Sequence, residues 1–124
     1  MFTASVRIHH RWTSSYCEIV LRAWEIPESK LECKIRGIVA VKTLLGVEYN
    51  TNHLKALCGS GLAVARRKLG ISVGLVVEVD SVKGIICDGD EQGVCLACAF
   101  AIAESLQKSS AEIATIVGEW EIYE

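Results

Sequence analysis

The residues best suited to chemistry are the six cysteines and three histidines of the chain. Two cysteines form the tetrapeptide Cys95-Leu-Ala-Cys98, and a third opens Cys58-Gly-Ser-Gly61. Thiols with two residues between them can grip a metal, or form a redox couple if the first sulfur is exposed at a helix N-terminus with a lowered pKa. At about 100° per residue, Cys95, Ala99, Ile102 and Leu106 fall within one narrow arc, with Cys98 on its shoulder and Glu104 and Lys108 opposite. Both thiols therefore belong to the core side of a helix, and three acidic residues ahead of them, Asp88, Asp90 and Glu91, raise rather than lower the first pKa. The sequence CGSG could cradle a phosphate, but it lies inside an apolar helical stripe and no Walker lysine follows. Small residues there are expected to let another element approach closely.

The histidines offer no better set. His9 and His10 are adjacent in a strand-like run and point to opposite faces, so they cannot share a metal. His53 stands alone at a helix start. Asp88, Asp90 and Glu91 sit where carboxylates favour a helix N-terminus. No catalytic residue and no cofactor is expected.

A length of 124 residues sets the scale at one domain, residues 1–124, and 51% apolar composition suffices for a core without staples. The opening MFTASVRIHHRW has no apolar signal region, and no apolar run reaches the roughly 18 residues of a spanning helix. A cytoplasmic protein with no membrane partner is expected, with its thiols reduced. The formal net charge of −2 argues against nucleic-acid binding through overall charge. The basic residues nevertheless cluster: Arg7, His9, His10 and Arg11 in one group, Arg66, Arg67 and Lys68 in another. Arg7, His9 and Arg11 alternate, share one strand face and precede Trp12, a combination that can meet RNA phosphate and base.

The elements that must position these residues follow from periodicity. Residues 3–12 and 16–26 read as strands, the second apolar on both alternating sets. Ser29 and Glu32 have capping-box spacing, and Leu31, Ile35, Ile38 and Leu45 fit one helical stripe, which predicts a helix over 30–45. Lys42 falls inside that stripe, and Leu31, Cys33 and Ile35 also alternate as in a strand. Leu54, Leu57, Cys58, Gly61, Leu62, Ala65 and Leu69 predict a helix over 53–69. Residues 72–80 and 83–87 are expected as two adjacent antiparallel strands, followed by a helix over about 91–107 and a last strand over 113–123. The order β(β)ααββαβ predicts an α+β fold: a mostly antiparallel sheet with helices on one face, ferredoxin-like or RNA-recognition-like.

Two resemblances bear on function. The order Cys58 on one helix and Cys95/Cys98 on the next is similar in spacing to the zinc cytidine deaminases, which implies a zinc site on Cys58, Cys95 and Cys98. The family's acid/base glutamate is replaced by Gly59-Ser60, which leaves a zinc-bound water without a proton shuttle. The stretch GLVVEVDSVKGIICDGDEQGVCLACAFAIAESLQKSSAEIATIVGEWEI resembles the archaeal/eukaryotic ribonuclease P protein component two family. The family's strand ending in an acidic residue, its Gly-Ile-Val-Arg-Cys strand, its Ala/Leu-rich helix and its final strand correspond to residues 75–80, 84–87, 97–106 and 113–120. Cys87 stands where the family has arginine, and Glu119-Trp120-Glu121 where it has Val-Ser-Gly-Thr. The resemblance implies a non-catalytic subunit of a ribonucleoprotein that matures the 5′ end of tRNA. It further implies a second protein subunit as partner and RNA binding through Arg7, His9, Arg11, Arg66, Arg67, Lys68 and Lys83. The alternative is a self-associating or small-ligand-binding α+β protein whose two-sided apolar strand marks an interface.

Overall fold

The computed structural model of the protein describes residues 2–109, 111–112 and 120–123. The runs expected as strands over 3–12 and 16–26 are β1 (Thr3–His10) and β2 (Tyr16–Ile26), which pair as an antiparallel hairpin. Ala4, Val6, Ile8 and His10 of β1 are buried, and so are Cys17, Ile19, Leu21 and Ala23 of β2. Register places Val6 opposite Ile19 and Arg7 opposite Glu18, so each inward pair alternates with an outward one.

The helix expected over 30–45 is a strand, β3 (Leu31–Thr43). The capping box does not form: the Glu32 carboxylate instead takes Lys30 Nζ at 3.2 Å and Lys34 Nζ at 3.0 Å. Ile35, Ile38, Val39 and Val41 are β-branched, which favours a strand once a neighbour is present. That neighbour is β4, with which β3 pairs in parallel. Lys42 is no anomaly in a strand, because it alternates with the buried Val41 and faces outward.

The two strands expected over 72–80 and 83–87 are one, β4 (Gly74–Ile86). What reads as a turn is a bulge: Val20 pairs with Ser81 and Leu21 with Val79, so Asp80 is the extra residue. The bulge switches the phase of alternation. Leu75, Val77 and Val79 face the core before it, and Val82, Gly84 and Ile86 after it. On β3 the register shifts at the same level, between Ile35 and Ile38. A side chain on Gly37 would overlap the Asp80 carbonyl, so glycine is needed there.

Helices α1 (Thr51–Lys68) and α2 (Gln92–Ser105) lie close to the ranges that periodicity predicts. Asn50 caps α1, accepting from the His53 backbone N–H at 2.7 Å. The two helices pack against each other, α1 also on β3 and α2 also on β1 and β2. Gly61 permits the close approach: a Cβ there would collide with the Cys95 carbonyl, which accounts for the small residues of CGSG. β5 (Trp120–Tyr123) pairs with β1; the rest of the strand expected over 113–123 lies outside the described residues.

The result is an α+β protein with a five-stranded sheet of order β3-β4-β2-β1-β5. β3–β4 is parallel and the other pairings are antiparallel, so the sheet is mixed, not the mostly antiparallel arrangement expected. Turning residues 30–45 from helix to strand is the cause, since the β3–α1–β4 connection is a crossover between parallel strands. One face of the sheet and both helices build the core, in which Ile8, Ile19, Leu21, Leu54, Leu62 and Ile102 are among the largest fully buried side chains. Burying each such side chain contributes about 1.5–3 kcal/mol. No helix among the described residues is long and apolar enough to cross a membrane.

Candidate functional site

The sheet face away from the helices is the first candidate surface. Its rows follow from register. Arg7, Glu18, Lys83 and Ala40 stand side by side across β1, β2, β4 and β3. The next row is His9, Tyr16, Ile85 and Lys42. The Arg7 guanidinium lies 4.7 Å from the centre of the Tyr16 ring, a cation–π contact that holds both side chains on the surface. Further along β2, Val20 and Trp24 lie half-buried on the same face, Trp24 opposite Val76 of β4. Part of the charge here is internally paired: Arg22 with Asp80 at 3.2 Å, and Arg36 with Glu78. Lys83 and Lys42 are exposed and have no ion-pair partner among the described residues.

The basic residues singled out from sequence thus divide into two sets. Arg7, His9 and Lys83 share the open face. His9 lies 3.6 Å from Glu121, and Arg11, just beyond β1, donates from Nε to the same carboxylate at 2.9 Å. Arg66, Arg67 and Lys68 are in the last turn of α1, on the helical layer, and do not join that face. Arg66 is committed to structure: its Nε donates to the Val73 carbonyl and its Nη2 to the Ser72 carbonyl, each at 3.2 Å, tying the helix end to the segment that leads into β4. Arg67 and Lys68 are exposed.

A second candidate lies outside the carboxyl ends of the parallel pair β3 and β4, where ligands of open α/β sheets commonly bind. Both helices begin beside it. Two adjoining cavities lie there, with Thr43 and Val47 common to both: one is lined by Glu48, Tyr49, Asn50, His53 and Glu91, the other by Leu44 and Leu45. The Tyr49 and His53 rings stack with centres 5.1 Å apart, and His53 Nε2 lies 3.5 Å from Glu91. Burial, then the negative charges of Glu91 and Asp88, raise the Tyr49 pKa, so its hydroxyl stays a hydrogen-bond donor. Spacing could not reveal this site: His53 and Glu91 meet only because two loops converge at one end of the sheet.

A third polar group assembles beneath the β1–β2 turn. Asp90 Oδ2 accepts from Thr13 Oγ1 and from Ser15 Oγ, both at 2.6 Å, while Ser15 Oγ accepts from the Cys87 N–H at 2.8 Å. His10 Nε2 lies 4.0 Å from Asp90 Oδ1. Serine, histidine and aspartate are together, but not as a nucleophile: Ser15 is fully buried and its proton points at the carboxylate, not at the imidazole. Burial opposes ionisation of Asp90, yet the hydroxyl bonds and His10 outweigh it and lower its pKa. The group joins the hairpin to the start of α2.

The cysteines converge in the core. Cys58 and Cys98 are fully buried, and Cys98 Sγ donates to the Cys58 carbonyl at 3.4 Å. Cys95 is half-buried, and burial raises its pKa, the reverse of a redox CxxC. Among the described residues no group of three or more His, Cys, Asp or Glu side chains is arranged to hold a metal ion, so the spacing of Cys58, Cys95 and Cys98 finds no support as a zinc site. No protein-family model matches the chain, and no curated protein matches it.

Proposed function

We propose that the chain is a non-catalytic protein subunit of an RNA-processing ribonucleoprotein, of the ribonuclease P kind that matures the 5′ end of tRNA. The supporting observation is the open sheet face, where Arg7 and Lys83 flank Glu18 in one row and Tyr16 and Trp24 lie on the same strand. Sheet faces that combine aromatic rings with cations stack bases and neutralise phosphates. RNA contact is assigned to Arg7, Lys83 and Lys42 with Tyr16 and Trp24, and a second protein subunit to the remaining surface. Arg67 and Lys68 lie in the other layer and serve a separate phosphate or the partner. Purification of the chain from its host tests this reading. Co-purification of tRNA-processing RNA and its proteins supports it, as does a gain in 5′-processing activity when the chain is added to a reconstituted particle. Recovery of the chain alone, with no RNA bound at low salt, overturns it.

The groove beside β3 and β4 favours a second reading, a small-ligand-binding protein. Its stacked Tyr49 and His53 rings, the Glu91 carboxylate and the Leu44–Leu45–Val47 wall form a site of mixed polarity suited to a small amphipathic molecule. Perturbation of the His53 and Tyr49 NMR resonances by a metabolite mixture, with no RNA binding, would favour it over the first.

A further inference from the structure

Leu44, Leu45 and Val47 are large apolar side chains left in solvent, Leu45 at 93% exposure, and they share one turn between β3 and α1. The turn is built to hold them there. The Thr43 backbone N–H donates to the Val47 carbonyl at 2.8 Å, and the Thr43 hydroxyl accepts from the Val47 N–H at 3.1 Å. Gly46 takes the left-handed conformation the turn requires, with a φ of +89°. Apolar surface concentrated in this way, and not folded inward, marks a place where something apolar binds. The three side chains wall the larger of the two adjoining cavities, of about 650 Å³, and the polar residues line the smaller, of about 240 Å³. Sites for small molecules span about 300–1,000 Å³.

Charge selects the head group. Glu48 and Glu91 line the smaller cavity and Asp88 the larger, and among the described residues no lysine or arginine lines either. The starts of α1 and α2 oppose these carboxylates with about half a positive charge each, and Asn50 already caps α1. An imidazolium at His53, 3.5 Å from Glu91, offsets one carboxylate at most. The balance stays negative, so an anionic head group is repelled and a cationic one attracted. The same field acts on Tyr49, whose pKa is raised by burial and then by Glu91 and Asp88.

We propose, on the small-ligand reading of this site, that the groove binds an organic ammonium ion carrying an aliphatic chain. The ammonium occupies the smaller cavity with Glu48 and Glu91, and the chain lies in the larger one along Leu44, Leu45 and Val47. The two parts of the ligand match the two parts of the groove. An ammonium only donates hydrogen bonds and an ionised carboxylate only accepts them. The aliphatic chain covers leucine and valine side chains that the fold itself leaves in water.

NMR titration of the native chain at neutral pH with hexylamine, hexanoate and 1-hexanol tests this assignment, since the three probes share a chain and differ in head-group charge. Hexylamine is expected to shift the His53 and Tyr49 resonances saturably, hexanol more weakly and hexanoate not at all. Glu91→Gln should weaken hexylamine binding about two- to fivefold, the scale of one exposed ion pair. Lengthening the amine from butyl to hexyl should tighten binding by up to about fourfold per methylene, and Leu45→Ser should flatten that gain. Hexanoate or hexanol binding as tightly as hexylamine overturns the cationic class and leaves a ligand groove standing. No shift with any of the three also overturns the assignment. The small-ligand reading itself falls only if the metabolite mixture, too, leaves both resonances unmoved.

Discussion

Two neighbouring rows of the same four strands show how differently the faces of this sheet are used. Val6, Ile19, Val82 and Val39 form one row, all aliphatic, packed under the helices. One residue along, Arg7, Glu18, Lys83 and Ala40 form the next, on the side without helices. Backbone geometry is shared, so the chemistry of each row reflects only what covers it. The covered row is uniform because a charge there would be desolvated without a partner. The open row is mixed, and its Arg7 guanidinium lies over the Tyr16 ring. Stability therefore resides on one face, and recognition is assigned to the other.

The largest expected effect comes from truncating adjacent residues that face opposite ways. Ile19→Ala empties a fully buried position and should cost about 2–5 kcal/mol in chemical denaturation. Val20→Ala, on the open face, should cost less than about 1 kcal/mol. Equal costs would break the comparison, by showing that something covers the open face.

Asp90→Ala probes the polar join between the hairpin and α2, and ranks next. It strands the buried Ser15 hydroxyl and removes the acceptor of Thr13, at a cost of about 1–3 kcal/mol. The sign of its pH dependence follows from the lowered pKa. A carboxylate ionised more easily in the folded state than in the unfolded one stabilises the protein above the unfolded pKa, about 3.9. That contribution fades as pH falls through the folded value. Stability measured from pH 6 downward should therefore decline more steeply for the native chain than for Asp90→Ala.

Smallest in stability, and sharpest for recognition, are Arg7→Gln and Lys83→Gln. Each should shift folding by no more than about 0.5 kcal/mol. Each should also lower the dependence of log K for single-stranded RNA on log salt, by about 0.7 for every phosphate that is no longer neutralised. An unchanged slope would remove that residue from the RNA-binding surface.

Much of this could be read from the chain alone, where one periodicity dominated over a full element. The strand-like run of 3–12 and the stripe of 53–69 are such cases. Residues 30–45 carry two periodicities at once, and only the presence of β4 as a parallel neighbour selects the strand. In β4 the alternation changes phase at Asp80-Ser81; a bulge and a turn leave the same trace in a sequence, and pairing on both sides makes it a bulge. Arg7 and Lys83 could each be named as basic, but that they share a row depends on register through β2. The Asp90 group and the His53–Glu91 pair join distant segments and carry no local signal.

The central claim is that the open face, not the basic end of α1, is the working surface. RNA binding at low salt by two double variants, Arg7→Glu/Lys83→Glu and Arg67→Glu/Lys68→Glu, tests it most directly, with folding verified for each. The account predicts that the first binds at least about tenfold more weakly than the native chain, an effect of roughly 1.4 kcal/mol or more, and that the second is clearly less impaired. The opposite ranking, or no binding by the native chain, would contradict it.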